Sequence, residues 1–401
     1  MSKILITGNG FDLNYGLPTS YSDFINILNK IESNQKQDYN LIFSQFAENK
    51  LLAKNFKPFE LDAQKIKLLE SNMKDSQWYD FFKSEFHIES WIDFENKIEY
   101  VLKILFSSAE YLKTNIFANG SIESIIEYYP DLFNNNAEII YVLNKFDIIS
   151  LKENGNIFLN EKYLIKKYGF FINIDIDKIT KFLLNELVIF KKIFNYYFEI
   201  FVYPMYDNLK VELDKNQFFS IDKHYTFNYT PSFERFFNSN LTTSFLHGNI
   251  NSELNKIVLG INEIPNTTLE KRYFLPFTKY FQKLNNKSDY LFLKEIEDRQ
   301  KYNHMFFFVG HSLNKSDEDY INEVFDFVNQ SHAKSKNIVI AYHTEKSRSQ
   351  LLINLLIIRG KKDIERLMKD EILLFELIDS PEFKKLLNKN IKDTPMSIGV
   401  F

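Results

Sequence analysis

A short apolar run, Ile4-Leu5-Ile6, is followed within two residues by Gly8-Asn9-Gly10, and this junction limits what the chain can fold into. The run suits one short buried strand, and the glycines suit a backbone that turns sharply or is approached closely. Gly16-Leu17-Pro18 makes a second turn, and Thr19 or Ser20 can cap the helix that follows. Ser20-Tyr21-Ser22-Asp23 loosely fits a capping box, with Asp23 set against the free N–H groups. Strand, glycine turn and helix start are the parts from which a parallel α/β sheet builds a phosphate site. The ordinary dehydrogenase fingerprint is not met. Its third glycine falls on Leu13, and its acidic ribose partner falls at Glu32, inside a helical stretch. The plainer alternative is a tight strand–helix turn with no ligand.

With 401 residues, the chain is long enough for two or three units. Its net charge of −4 leaves no basic surplus to displace counterions, so general nucleic-acid binding is not expected. It has no cysteine, so disulfides and cysteine-based zinc sites are excluded. The histidines show no close metal-ligand spacing, and no metal is expected. Met1-Ser2-Lys3 runs straight into the first strand without a signal peptide, and no apolar stretch reaches membrane-spanning length. A cytoplasmic protein is expected.

From Ile31 to Leu209 glycines thin out, and Lys, Asn, Glu and aromatic residues dominate. Apolar positions three and four apart predict helices over Phe81–Ile104 and Ile179–Phe201, the second capped by Asp175 or Asp177. This is read as a largely helical insertion with Asn-rich joints at Asn134–Asn136 and Asn154–Asn156. In Trp91-Ile-Asp-Phe-Glu95, Asp93 and Glu95 have the chemistry of catalytic carboxylates. A helix N-terminus with Asp93 near the cap and Trp91 packed as a staple is favoured. Strands are predicted again at Phe219–Asn228, Ser244–Leu246, Lys256–Leu259, His304–Val309 and Asn337–Tyr342. Helices are predicted at Pro231–Glu234, Ser316–Val328 and Glu345–Ile358, the last closed by Gly360, with amphipathic helices and a mobile tail beyond. The alternation predicts a parallel sheet covered on both faces. The expected units are a discontinuous nucleotide-binding domain (1–30 and 215–360), a helical insertion (31–214) and C-terminal helices (361–401).

Three blocks place polar residues just past a strand end, where α/β sheets bind ligands: His224-Tyr-Thr-Phe-Asn-Tyr-Thr230, Leu246-His247-Gly248 and Val309-Gly310-His311-Ser312-Leu313, with Asp317 close behind. Taken singly, Asn228 can equally cap the helix at Pro231, and His247 can be a hydrogen-bonded turn residue.

The N-terminal block G-N-G-F-D-L-x-x-G-L-P-T-S-Y-S-D-F resembles the bacteriophage abortive-infection family AbiH. It is also similar to the sirtuin opening, with Gly8, Gly10, Gly16 and Pro18 in matching places. Asn228 falls at the sirtuin asparagine, His247-Gly248 follows nineteen positions later, and Gly310-x-Ser312-Leu313 resembles the sirtuin G-T-S-L turn. The resemblance implies a zinc-free, sirtuin-like Rossmann-type core that takes NAD as substrate or ligand. Asn228 and His247 would be catalytic, and Gly8, Asn9, Gly10, Phe11, Asp12, Pro18, Gly310 and Ser312 would bind the cofactor. The implied reaction is hydrolysis of the bond between nicotinamide and ribose. Asn228 would hold a water or ribose hydroxyl, a near-neutral His247 would take its proton, and the glycine turns would cradle the pyrophosphate with N–H groups. Two positions depart from the sirtuin pattern: Thr230 stands where sirtuins carry an aspartate, and Asp12 replaces a small residue. Abortive infection points to a phage-derived trigger, and further copies of the chain are open as partners. Two rival readings are a non-catalytic nucleotide sensor that controls a partner and a HEPN-like ribonuclease through Arg299-x4-His304.

Overall fold

The computed structural model of the chain describes residues 2–33, 50–85, 91–115, 137–151, 157–168, 170–237, 240–250, 257–266, 271–285, 292–293, 303–331 and 336–391. The central sheet has six strands: β1 (Ser2–Thr7), β2 (Lys223–Thr226), β3 (Thr243–Phe245), β4 (His304–Val309), β5 (Lys336–Tyr342) and β6 (Leu373–Leu377). All neighbouring pairs are parallel. Across the sheet they run β3-β2-β1-β4-β5-β6, the 3-2-1-4-5-6 order of a Rossmann-like layout. Connections leave β1 and β4 in opposite lateral directions, which opens a crevice between the carboxyl ends of these two strands.

Alternation along the strands divides their side chains between two cores. Ile4, Ile6, Phe306, Phe308, Ile338 and Ile340 enter one cluster, while Leu5, Met305, Phe307, Val309 and Val339 enter the other. Burial on both faces accounts for strands that read as unbroken apolar runs. The first cluster is closed by α6 (Glu318–Gln330), α7 (Glu345–Arg359) and α8 (Lys361–Lys369), which contribute Val324, Leu355 and Leu367 among others. The second cluster continues into the insertion and also takes Phe383 of α9 (Pro381–Asn388).

In the first crossover, α1 (Asn9–Asn14) follows Gly8 directly, and α2 (Tyr21–Glu32) starts at the predicted capping box. The Ser20 hydroxyl accepts from the Asp23 amide at 3.0 Å, and the Asp23 carboxylate accepts from the Ser20 amide at 3.1 Å. Two long helices of the insertion, α3 (Trp91–Asn115) and α4 (Ile176–Tyr197, capped by Asp175), pack on this unit through aromatic rings. Phe24 stands 5.0 to 6.0 Å from the ring centres of Trp91, Phe190, Phe194 and Tyr197. A π turn over Phe198–Val202 extends α4, a device often found beside functional sites.

Several elements differ from the sequence reading. The helix expected over Phe81–Ile104 is two: one ends at Ser84, where Glu85 turns extended, and α3 begins at Trp91. The insertion also carries two antiparallel hairpins, Ile149–Leu151 with Ile157–Leu159 and Leu164–Lys167 with Phe170–Ile174. The strand expected over Phe219–Asn228 is confined to β2, and Ile257–Leu259 is not a strand. Beyond Gly360 the chain is not only helical, because β6 pairs with β5 as the sheet's edge. Asn134–Asn136, Asn154–Asn156, Lys256 and the expected tail after Ile391 lie outside the described residues. Among the described residues no helix is long and apolar enough to cross a membrane.

Candidate functional site

Strand register brings the polar blocks together. Thr7 sits between Thr226 and Val309, and Thr226 sits beside Phe245, so the segments after β1, β2, β3 and β4 leave the sheet at one level. Asn228 and His247 each lie two residues past a paired position on neighbouring strands. Between the segments is a cavity of about 270 Å³. Gly8–Gly10, Asp12, Asn228, Thr230 and Gly310–Ser312 line one part of it, and Glu95, His247, Lys279 and Asp317 line another. Phe11 and Pro18, expected at the ligand, are elsewhere. The Phe11 ring packs on Tyr15, Phe218 and Phe237, and the buried Pro18 offers its carbonyl to the Tyr197 hydroxyl at 2.7 Å.

The glycine turns also do a different job from the one expected. The Gly8, Gly10 and Phe11 amides are committed to the carbonyls of Val309, Gly310 and Gly8 at 3.3, 2.8 and 2.8 Å. These three N–H groups therefore do not form an open anion cradle. Gly10 and Gly310 instead let two turns touch: a Cβ on Gly10 would stand 2.8 Å from the Gly310 carbonyl oxygen.

Asp12, almost wholly buried, accepts a short hydrogen bond from the Thr230 hydroxyl through Oδ2. Thr230 thus ties down the carboxylate that distinguishes this chain from the sirtuin pattern. Burial pushes the Asp12 carboxyl up to about 6, against the opposing pull of Ser232, Thr230 and Asn228. Asn228 does not cap the next helix, whose N-cap is Pro231. The Asn228 backbone amide donates to Thr226 Oγ1 at 3.0 Å, and Thr7 Oγ1 donates to the same oxygen at 2.8 Å. Thr7 is also 2.9 Å from His224 Nε2, whose Nδ1 meets Thr243 Oγ1 at 2.9 Å. A buried polar chain across three strands therefore fixes the backbone that carries Asn228.

A cluster of charged groups also lines the cavity. Lys279, from α5 (Lys279–Asn285), has its Nζ 2.7 Å from Glu95 Oε1 and 4.0 Å from Asp317 Oδ1. Asp317 precedes α6 without capping it, and lies 3.5 Å from both His247 Nε2 and His311 Nε2. Burial works against charge on Asp317, but Lys279 and the two imidazoles hold its carboxyl well below the usual range. Burial also opposes charge on Lys279, yet Glu95 and Asp317 keep it above the ordinary lysine value. Burial raises Glu95 to about 7 despite Lys279. His247 is driven down to about 3, first by burial and then by Lys279. The expected near-neutral His247 is therefore not found. Its imidazole is uncharged at neutral pH and a weak base.

Among the described residues, Asp12 Oδ1, Thr19 Oγ1, Asn228 Oδ1, His247 Nε2 and Asp317 Oδ1 are buried without hydrogen-bond partners, and all five residues line this one cavity. Buried polar atoms are nearly always paired, so their convergence fits a site built to complete its bonds with a polar ligand. The sequence reading weighed Glu95 as a catalytic carboxylate but favoured a structural helix start for its block, and it did not reach Lys279. Glu95 follows Trp91 by four residues, hence on the same helix face, and the Trp91 indole N–H donates to the Thr19 carbonyl at 2.9 Å. That spacing was a usable signal, whereas a single lysine after Thr278 carries none.

Asp12 has a stability signature. An unfolded aspartate titrates near 3.9, so between about pH 4 and pH 6 the folded state binds the extra proton. Stability contributed by neutral Asp12 is complete below that window and is lost as pH rises through it, by about 3 kcal/mol. Asp12→Asn is expected to flatten this slope and raise the melting temperature at pH 7.5. Denaturation of both proteins from pH 4 to pH 8 checks it, and identical profiles would contradict the buried, proton-holding Asp12.

A six-stranded parallel sheet in this order, with a cavity bordered by buried polar side chains at its switch point, defines an α/β protein of Rossmann-like layout. The family described as Bacteriophage abortive infection AbiH matches residues 4–342, and the chain belongs to it. Membership suggests a role in abortive infection of phage-infected cells. No curated protein and no solved structure matches the chain.

Proposed function

We propose that the cavity binds NAD or a closely related nucleotide, and that the protein acts in abortive infection by hydrolysing the nicotinamide–ribose bond. The observation that carries this reading is the convergence of orphaned buried polar atoms on one switch-point cavity. The sirtuin-like order of the Gly8, Asn228, His247 and Gly310–Ser312 blocks supplies the nucleotide class. Nicotinamide leaves as a neutral molecule from a cationic ring, so the site needs little acid help. It must hold the ribose, stabilise an oxocarbenium-like carbon and place a water. Asn228 suits the hydroxyls or the water, because its amide donates and accepts at once. Asp12, held by Thr230, suits the ribose diol. His247, neutral and with Nε2 orphaned, suits a hydrogen bond to the substrate.

The test is incubation of purified protein with NAD, following nicotinamide release and, by calorimetry, binding. Binding without release would favour the sensor reading. The ribonuclease reading has less support, because His304 opens β4 at the amino end of the sheet, away from the cavity; Arg299 lies outside the described residues. His304→Ala is therefore expected to lower stability and leave nicotinamide release per folded molecule unchanged. RNA breakdown by wild type that disappears in this variant, with NAD intact, would reverse the order of the readings.

A further inference from the structure

We propose that Glu95, supplied by the insertion rather than by the sheet, is the catalytic base that takes the proton from the attacking water. This inference rests on the NAD-hydrolase reading above.

Glu95 is 8 % exposed, lines the cavity, and shares a helix face with Trp91, whose bond to Thr19 anchors the start of α3 beside the glycine turns. The other candidate bases are weaker. Asp12, with Thr230 on Oδ2 and Oδ1 unpartnered, titrates lower, at about 6; Lys279, His247 and His311 hold the Asp317 carboxyl well below the usual range; and His247 stays neutral down to low pH. The groups facing Glu95 are Lys279 and Lys283 of α5, Asp317 ahead of α6 and Tyr229 after β2, and His247 after β3 lines the same cavity.

The arrangement allows Glu95 to change charge inside a buried site. As a carboxylate it is paired with the Lys279 ammonium at 2.7 Å. Once protonated, it leaves Lys279 with Asp317 at 4.0 Å as counter-ion, so no buried cation is stranded. In the step itself, the water oxygen bonds to C1′ of the ribose as the C1′–N1 bond breaks. The bonding pair goes to N1 and neutralises the pyridinium as nicotinamide leaves. One water proton goes to Glu95, which later returns it to solvent, giving ADP-ribose, nicotinamide and a proton. A carboxyl that titrates near neutral pH is suited to this task.

The test follows nicotinamide release from NAD between pH 5 and pH 9 for wild type, Glu95→Gln, Glu95→Asp and His247→Gln, with melting temperatures and NAD dissociation constants for each. Wild-type kcat/KM is expected to rise with pH and level off above about 7. Glu95→Gln keeps an oxygen for Lys279, so it should bind NAD within a few-fold of wild type, lose about 10²–10⁴-fold in turnover and lose the pH-dependent rise. His247→Gln should keep the rise. If Glu95→Gln does not fold, Glu95→Asp carries the test: retracted by one methylene, it should be slower yet still show the rise. Undiminished release with the same rise from Glu95→Gln, or transfer of the rise to His247, overturns the assignment and leaves the hydrolase reading standing. A wild type that binds NAD but releases no nicotinamide overturns both.

Discussion

Replacing Asn228 with alanine is expected to cut nicotinamide release by about 10²–10³-fold while leaving the fold and NAD binding largely intact, the size of effect seen when one preorganised hydrogen-bonding group is removed from a reacting centre. The side chain faces the cavity and its Oδ1 has no partner among the described residues, so truncation opens no apolar void and gives up only the amide's hydrogen bond to Asp12. The backbone beneath it is held independently by Thr226, Thr7 and His224, and these bonds survive the substitution. The loss should therefore appear in kcat more than in KM. Asn228→Asp should do no better than alanine, because it sets a second carboxylate against Asp12, which burial already holds near 6. Combining Asn228→Ala with His247→Ala removes both cavity-facing groups past β2 and β3. Undiminished nicotinamide release from that double variant would end the proposal.

The parts of this fold that were legible in the sequence follow one physical rule. Strands buried on both faces must be apolar throughout, so Ile4–Ile6, His304–Val309 and Asn337–Tyr342 stood out; Gly8 and Gly310 marked the turns after the first two, and Gly360 marked the end of the helix after the third. β6 was missed because Leu373–Leu377 contains Glu376 and lies at the sheet's edge, where partial exposure weakens the apolar run. The end of β2 was overextended because Phe227 continues the apolar pattern and still donates its amide to the Thr7 carbonyl, although its ring already walls the cavity. At the site, residues that follow strands could be placed from the sequence, since register carries them to one level. Lys279 could not, and Glu95 was marked only by its chemistry and its spacing from Trp91, because both reach the cavity from helices whose docking depends on the aromatic packing of the insertion. The depressed basicity of His247 was hidden for the same reason: it comes from burial and from Lys279, neither visible along the chain.

The second large effect is expected at Gly310, where alanine should cost more than about 4 kcal/mol and in practice deny the protein its folded state. Two penalties coincide there. The backbone sits at φ +66°, a conformation that side chains disfavour, and the added Cβ would lie 2.0 Å from the Phe11 nitrogen and 2.5 Å from the Gly10 carbonyl carbon. No rotamer relieves a collision between backbones. Gly360 provides the control, since at φ +77° a Cβ meets nothing within 4 Å. Gly360→Ala should therefore show the conformational strain alone, about 1–3 kcal/mol, and remain folded. Gly10→Ala separates two accounts of the glycine block. If Gly10 exists to let a pyrophosphate approach, alanine weakens NAD binding at an unchanged melting temperature. If Gly10 exists to let the turn after β1 rest on the turn after β4, as its 2.8 Å bond to Gly310 indicates, the melting temperature falls together with binding. The second outcome is expected, because the two turns that wall the cavity are one packed unit and neither can shift without moving the other.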